Sequence, residues 1–148
     1  MKRSLPITLL ALGASAAVAL PATAAPTKAT GTKLSAQLNG ANERPNPGDP
    51  DGTGRASIRL NQGAGRVCYS LSWQNITEPP IAAHIHRGTA NEAGPVVVLL
   101  FEGTADRSDC VRASKRLIQA IRRHPARYYV NVHTDDFKDG AIRGQLEK

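Results

Sequence analysis

The chain between residues 33 and 73 has a hydrophobic pattern of short alternating segments. Apolar and polar residues alternate from Leu34 to Asn39 and from Arg55 to Leu60, and a third segment runs from Val67 to Trp73. Because successive side chains on a strand point to opposite faces, this period of two predicts strands with one buried face. The short glycine-containing segment 61–65 predicts that the second and third strands form a hairpin.

The rest of the chain continues this pattern, with one exception. Four more segments have the composition of strands: 81–86, 96–101, 128–133 and 141–146. The exception follows Ser114, where Leu117, Ile118 and Ile121 have helical spacing and Pro125 ends the segment. The pattern therefore predicts an all-β domain, a sandwich or barrel of seven to eight strands with one short helix.

The N-terminus has a pattern of its own. Lys2 and Arg3 precede an apolar run that Pro21 ends, and the small residues of the segment 22–24 follow. These are the three parts of a secretory signal peptide, and the apolar run is shorter than the roughly 20 residues that span a membrane. We therefore expect a signal peptide at residues 1–25 and no membrane span after its cleavage.

The remaining chain divides into two parts. Residues 26–32 are small and polar and are expected to form a flexible leader, and residues 33–148 form the folded domain. The signal peptide predicts a secreted or periplasmic location.

The charge of the chain narrows the choice of partners. The full sequence has 19 Lys and Arg against 12 Asp and Glu, and the signal peptide holds two of the positive charges, so the mature chain has a formal charge of +5. The basic stretch 115–123 has no interleaved aromatic residues on which bases could stack. We therefore expect an extracellular protein or polymer ligand of unknown identity as the partner, and no nucleic acid.

Two cysteines, Cys68 and Cys110, complete the chemistry expected of an exported chain. An even number of cysteines in an oxidising compartment predicts a disulfide bond. Cys68 lies in a predicted strand and Cys110 in a polar segment that we interpret as a loop. The bond would therefore hold a loop against the sheet.

Three histidines have the spacing of metal ligands on strands. His84 and His86 alternate with Ile85 and share one face of their strand, and His133 shares a face with Asn131 on another. If the two strands are neighbours, three imidazoles meet, a ligand set that suits copper or zinc. The alternative is that these histidines hydrogen-bond to carbonyls and carboxylates at a sheet edge, with no metal.

Four segments in this order resemble the CHRD domain, the module named after chordin. They are AHIHRG at 83–88, GPVV at 94–97, YVNVHT at 129–134 and GAIRGQL at 140–146. The segment 38–45, LNGANERP, is similar to the opening element of that family. The resemblance covers about residues 33–146 and identifies the chain as a member of the family's bacterial secreted type.

The resemblance implies an immunoglobulin-like β-sandwich or barrel and says less about activity. It implies structural, polar roles for Glu43, Asn131 and Arg143, and it favours a non-enzymatic extracellular or periplasmic binding module. No nucleophile lies beside a base, so no catalytic residue is assigned.

The alternative function is a copper- or zinc-binding protein that uses His84, His86 and His133, with redox activity like that of superoxide dismutase. The His-x-His element is similar to the copper-ligand strand of Cu/Zn superoxide dismutases. The chain has no counterpart of their Gly- and His-rich zinc loop.

Overall fold

A computed structural model describes residues 31–104 and 107–148 of the chain. The predicted signal peptide and residues 26–30 of the leader lie outside these residues. The described part contains eight strands and one α-helix: β1 (Thr32–Asn39), β2 (Thr53–Asn61), β3 (Arg66–Gln74), β4 (Ala82–Arg87), β5 (Val96–Glu102), β6 (Ser108–Arg112), α1 (Lys115–Arg123), β7 (Tyr128–His133) and β8 (Ile142–Gln145).

The strands form one antiparallel sheet that curls into a nearly closed barrel. Their order is β5-β4-β7-β8-β1-β2-β3-β6. The prediction of an all-β domain with one short helix is confirmed, and the continuous sheet gives it the barrel form. Within the described residues, no helix has the length and apolar character needed to cross a bilayer.

The predicted alternation places the core inside the barrel. Leu34, Ile58 and Leu60 on β1 and β2 are at most 1% exposed, whereas Ser35, Ser57 and Arg59 beside them in the chain are partly exposed. The predicted hairpin is present, with Asn61 paired to Arg66 across its turn. Burial of one face of each strand thus closes the sheet around an apolar interior.

The helix α1 begins and ends where the sequence indicates. The Ser114 side chain accepts a hydrogen bond from the Leu117 amide at 3.2 Å, and the segment ends before Pro125. Ile118 and Ile121 are fully buried and join the core cluster of the barrel. Packing of this apolar face, more than intrinsic propensity, stabilises a helix of nine residues.

The disulfide between Cys68 and Cys110 is present, but its setting differs from the prediction. Cys110 lies in the strand β6, directly opposite Cys68 on β3, and not in a loop. The segment 108–112 is too polar to show a buried face in its sequence, and it pairs with β3 along its whole length. The bond therefore joins two neighbouring strands at one edge of the sheet.

Candidate metal centre

The strands β4 and β7 are neighbours, which brings the three predicted histidines together. In the antiparallel register His84 lies opposite Asn131, and Ala82 lies opposite His133. Ile85 points into the core and is fully buried. His84, His86 and His133 therefore share the outer face of the sheet, as the alternation of strand side chains requires.

The three imidazoles form one cluster. His84 Nδ1 and His133 Nε2 are 3.0 Å apart, and one ring nitrogen from each histidine lies within 4.8 Å of the other two. His86 and His133 are only 8% and 9% exposed, while His84 is more accessible. The cluster is thus a partly enclosed set of three nitrogen ligands that solvent reaches from the His84 side.

Two backbone carbonyls orient the buried histidines. His86 Nδ1 lies 2.8 Å from the Gly94 oxygen, and His133 Nδ1 lies 2.9 Å from the Lys138 oxygen. A carbonyl only accepts, so each Nδ1 carries the proton and each Nε2 keeps a lone pair. Metal-bound histidines in proteins are commonly held in this way.

The surroundings keep all three imidazoles neutral. Burial lowers the pKa of His84 to about 4, and repulsion from His133 and His86 adds to this effect. Burial also lowers the pKa values of His86 and His133, although their hydrogen bonds to carbonyls oppose the shift. At neutral pH, protons therefore compete weakly for the nitrogen lone pairs.

Tyr129 supports the cluster from below. Its ring stacks on His86 with centroids 4.7 Å apart and planes 9° apart, and its hydroxyl accepts a hydrogen bond from the Gly94 amide at 3.1 Å. The Arg143 guanidinium lies over the Tyr129 ring, 3.3 Å from the ring centroid. Tyr129 was not among the predicted site residues, although its place two residues before Asn131 puts it on the same strand face.

The three residues to which the resemblance gave structural roles are all buried. Glu43, Asn131 and Arg143 are 1–2% exposed. Arg143 lies opposite Asn131 in the β7–β8 register, and its Nη2 donates to the Thr89 oxygen at 2.7 Å. Arg143 thereby ties the loop 88–95, which carries the Gly94 carbonyl, to the sheet.

The buried carboxyl of Glu43 has an unusually high pKa and packs closely against the backbone. Burial raises its pKa to about 7, while the nearby charge of Arg143 opposes the shift. Its carboxylate packs against Gly140, where a Cβ would overlap it and where φ is +141°. Position 140 therefore favours glycine for two reasons: a side chain would overlap the Glu43 carboxylate, and the backbone has a positive φ.

Four buried polar atoms in and beside the cluster find no hydrogen-bond partner among residues 31–104 and 107–148: Glu43 Oε1, His86 Nε2, Asn131 Oδ1 and Arg143 Nη1. Buried polar groups in folded proteins are usually satisfied, so such atoms indicate a missing partner. The unpartnered Nε2 of His86 belongs to the group of ligand atoms described above.

Comparison with models of protein families identifies the family to which the chain is related. A family model described as the CHRD domain matches residues 34–146, most of the chain. The chain belongs to the CHRD domain family. The matched range of this CHRD domain runs from β1 through β8 and includes all three histidines. Comparison with curated proteins and with solved structures found no match.

Proposed function

We propose that this CHRD domain is an exported metal-binding protein that holds copper or zinc with His84, His86 and His133. The observation that carries the proposal is the buried, unpartnered Nε2 of His86, whose lone pair is fixed by the bond from Nδ1 to Gly94. It lies within 4.8 Å of the other two ligand nitrogens. A bound cation would give this atom the partner that the described residues do not provide.

The competing interpretation is a hydrogen-bonded histidine pair without metal. His84 Nδ1 donating to His133 Nε2 would account for their distance of 3.0 Å. It accounts less well for His86, whose buried second nitrogen makes no hydrogen bond within 3.5 Å among the described residues, although the Asn131 side chain is close enough to favour its protonated form. Three oriented, neutral imidazoles favour the metal site, since neutral nitrogen is the form that metals bind.

The general order of metal affinities favours copper over zinc at this set of nitrogen ligands. Two nitrogens bound to one metal at about 2.0–2.1 Å are about 3 Å apart at a right angle and about 3.4 Å apart at the tetrahedral angle. His84 Nδ1 and His133 Nε2 are 3.0 Å apart and the three ligand nitrogens lie within 4.8 Å of one another, so small ring rotations bring them to a metal of either geometry. Three protein ligands also leave a position for water or a small ligand, as redox or hydrolytic chemistry at a metal requires.

Titration of the purified protein with Cu(II) and with Zn(II) tests this proposal. We expect one equivalent of Cu(II) to bind, to give an electron paramagnetic resonance spectrum with nitrogen couplings, and to raise the thermal midpoint. At a free metal concentration of 100 times Kd, the stabilisation should be about 2.7 kcal/mol. Zn(II) should bind more weakly at the same site.

Variants of three of the four histidines complete the test. His84→Ala and His133→Ala should lose the nitrogen couplings and the shift in midpoint. His124→Ala is the matched control, because His124 is exposed at the end of α1 and outside the cluster. Equal Cu(II) binding by the wild type and both cluster variants would contradict the proposal.

Export is the second part of the proposal. The signal-like pattern of residues 1–25 supports it, and so does the disulfide between Cys68 and Cys110, since such bonds persist in oxidising compartments. The intact mass of the protein recovered outside the cytoplasm should correspond to cleavage after Ala24 or Ala25. Recovery of the uncleaved chain in the cytoplasm would contradict export.

A further inference from the structure

A groove beside α1 is lined by three arginines that come from three separate elements. Arg87 ends β4, Arg116 lies in the first turn of α1, and Arg127 ends the 3₁₀ turn before β7. The groove has a volume of about 510 Å³. We call it the arginine groove.

The backbone fixes the spacing of these arginines. Arg87 pairs with Tyr128 across β4 and β7, and the Gly88 amide donates to the Arg127 oxygen at 2.9 Å. The Arg127 amide donates in turn to the His124 oxygen at 3.0 Å. The Cα positions that carry the arginines are therefore set before any ligand arrives, which lowers the entropy lost on binding.

The arginine groove has a net positive charge. None of its lining residues is acidic, and the nearby carboxyl of Glu92 lines the adjoining cavity together with Arg87 and Arg127. All three are exposed. Like charges held close together repel one another, so an arrangement of this kind favours the approach of an anion.

The chemistry of the groove indicates which anion it fits. Guanidinium groups recognise phosphate and sulfate oxygens in pairs, with a geometry that lysine does not offer. Ser114 adds a hydroxyl, and Leu117 and Ala120 add an apolar side. The volume of about 510 Å³ is typical of a small-molecule site and exceeds what a single phosphate ion occupies.

We propose that the arginine groove binds a phosphate or sulfate ester carried on a sugar-sized skeleton. An exported protein encounters such groups on anionic polymers and as free sugar esters. A single-stranded nucleic acid fits the groove less well, because Tyr128 is only 5% exposed and the lining leaves the His124 imidazole as its one exposed ring for stacking.

The test is calorimetric titration of the purified protein at 50 mM NaCl, with EDTA present so that no metal takes part. The probes are sucrose octasulfate, inorganic phosphate and uncharged sucrose. We expect saturable binding of one sucrose octasulfate, binding of phosphate at least tenfold weaker, and no binding of sucrose. Phosphate binding as tight as that of the sulfated sugar would overturn the sugar-sized part of the proposal.

Matched double variants separate the groove from general charge. Arg116→Gln/Arg127→Gln should weaken the binding of sucrose octasulfate at least tenfold. Lys33→Gln/Arg55→Gln removes the same charge from β1 and β2 and should weaken it less than threefold. Equal losses in both variants, or no binding by the wild type, would overturn the proposal.

A sulfated polymer and a free sugar ester share this chemistry, and a further arm distinguishes them. Dextran sulfate and glucose 6-phosphate are titrated against the same variants. Tighter binding of dextran sulfate that depends on Arg116 and Arg127 would assign the groove to polymers, and dependence for glucose 6-phosphate alone would assign it to free esters. All these substitutions lie at exposed positions, and circular dichroism verifies that the variants are folded.

Discussion

Strands β2 and β3 and strands β7 and β8 belong to the same sheet but use its outer face differently. On β3, Ser70 and Ser72 are exposed on either side of the buried Leu71, as expected of a strand with water on one side. On β7, all six residues are buried, including Asn131 and His133 on the outer face. Loops cover the strands on one side of the sheet, including β4, β7 and β8, which we call the covered half. They leave the strands on the other side, including β1, β2, β3 and β6, open to solvent, and we call these the open half.

The two halves differ in how many polar groups they bury, which is energetically unfavourable. Burying a polar group is unfavourable unless it finds a partner, and the open half of the barrel avoids the problem by leaving such groups in water. The covered half buries Glu43, Arg143 and two of the three histidines, His86 and His133. Polar groups that are buried without a structural need are good candidates for function.

The largest expected loss of stability comes from replacing an arginine of the covered half. A second arginine on the outer face of the same sheet, in the open half, serves for comparison. Arg143→Gln removes a buried cation that contacts Tyr129 and holds Thr89, and it leaves Glu43 without its compensating charge. We expect the free energy of unfolding to fall by about 3–5 kcal/mol.

The matched control for Arg143 is Arg55→Gln on β2, where the side chain is exposed. It should change the free energy of unfolding by less than about 0.5 kcal/mol. Urea denaturation measures both variants. Losses of similar size would show that the two outer faces do not differ in the way described.

The next effect belongs to the open half. Its edge strand β6 is short and largely exposed, and the disulfide fastens it to β3. The bond links residues separated by 42 positions, so removing it with Cys68→Ser/Cys110→Ser should lower the free energy of unfolding by about 3–4 kcal/mol in the chain-entropy model.

The covered half serves as the control for the disulfide. Copper binding at the histidine cluster, on β4 and β7, should persist in the folded Cys68→Ser/Cys110→Ser protein. Thermal melts with and without Cu(II) measure both quantities. Loss of copper binding in a protein that is still folded would show that the two halves are coupled.

The third effect is a dependence on pH. Burial raises the pKa of Glu43 from 4.5 to about 7. Its contribution to stability is therefore fully present below about pH 4.5 and is lost as the pH rises through 7. Glu43→Gln stays uncharged, so its free energy of unfolding relative to the wild type should rise by about 2–3 kcal/mol between pH 4.5 and 8.

Urea denaturation at several pH values measures this difference. Glu102→Gln, at an exposed position on β5, is the control. A difference between Glu43→Gln and the wild type that does not vary with pH would show that the carboxyl stays ionised in the folded protein throughout this range.

The open half could be predicted from sequence almost residue by residue. Its strands alternate between apolar and polar residues because only one face is buried, as Leu34 and Ile58 show. The exception is β6, whose segment 108–112 has no apolar periodicity and becomes a strand through its pairing with β3. Pairing across the sheet outweighs local pattern there, and a single segment of sequence carries no sign of it.

The candidate site could be predicted in part. The alternation of side chains placed His84 and His86 on one face. It could not predict that β4 and β7 are neighbouring strands, and His133 joins the cluster only because they are. The carbonyls of Gly94 and Lys138 that orient the rings had no signal at all, since every residue has a carbonyl. Only the fold of the covering loops determines which carbonyls face the histidines.

The order of the strands has a consequence for the timing of assembly. His84 and His133 are 49 residues apart in the chain and meet only when β4 and β7 have paired. An ensemble that has formed the local hairpin of β2 and β3 but has not yet docked β7 cannot bring the three imidazoles together. Acquisition of the metal would therefore report a late event in folding, and a pulse of Cu(II) added during refolding would time the closure of the barrel.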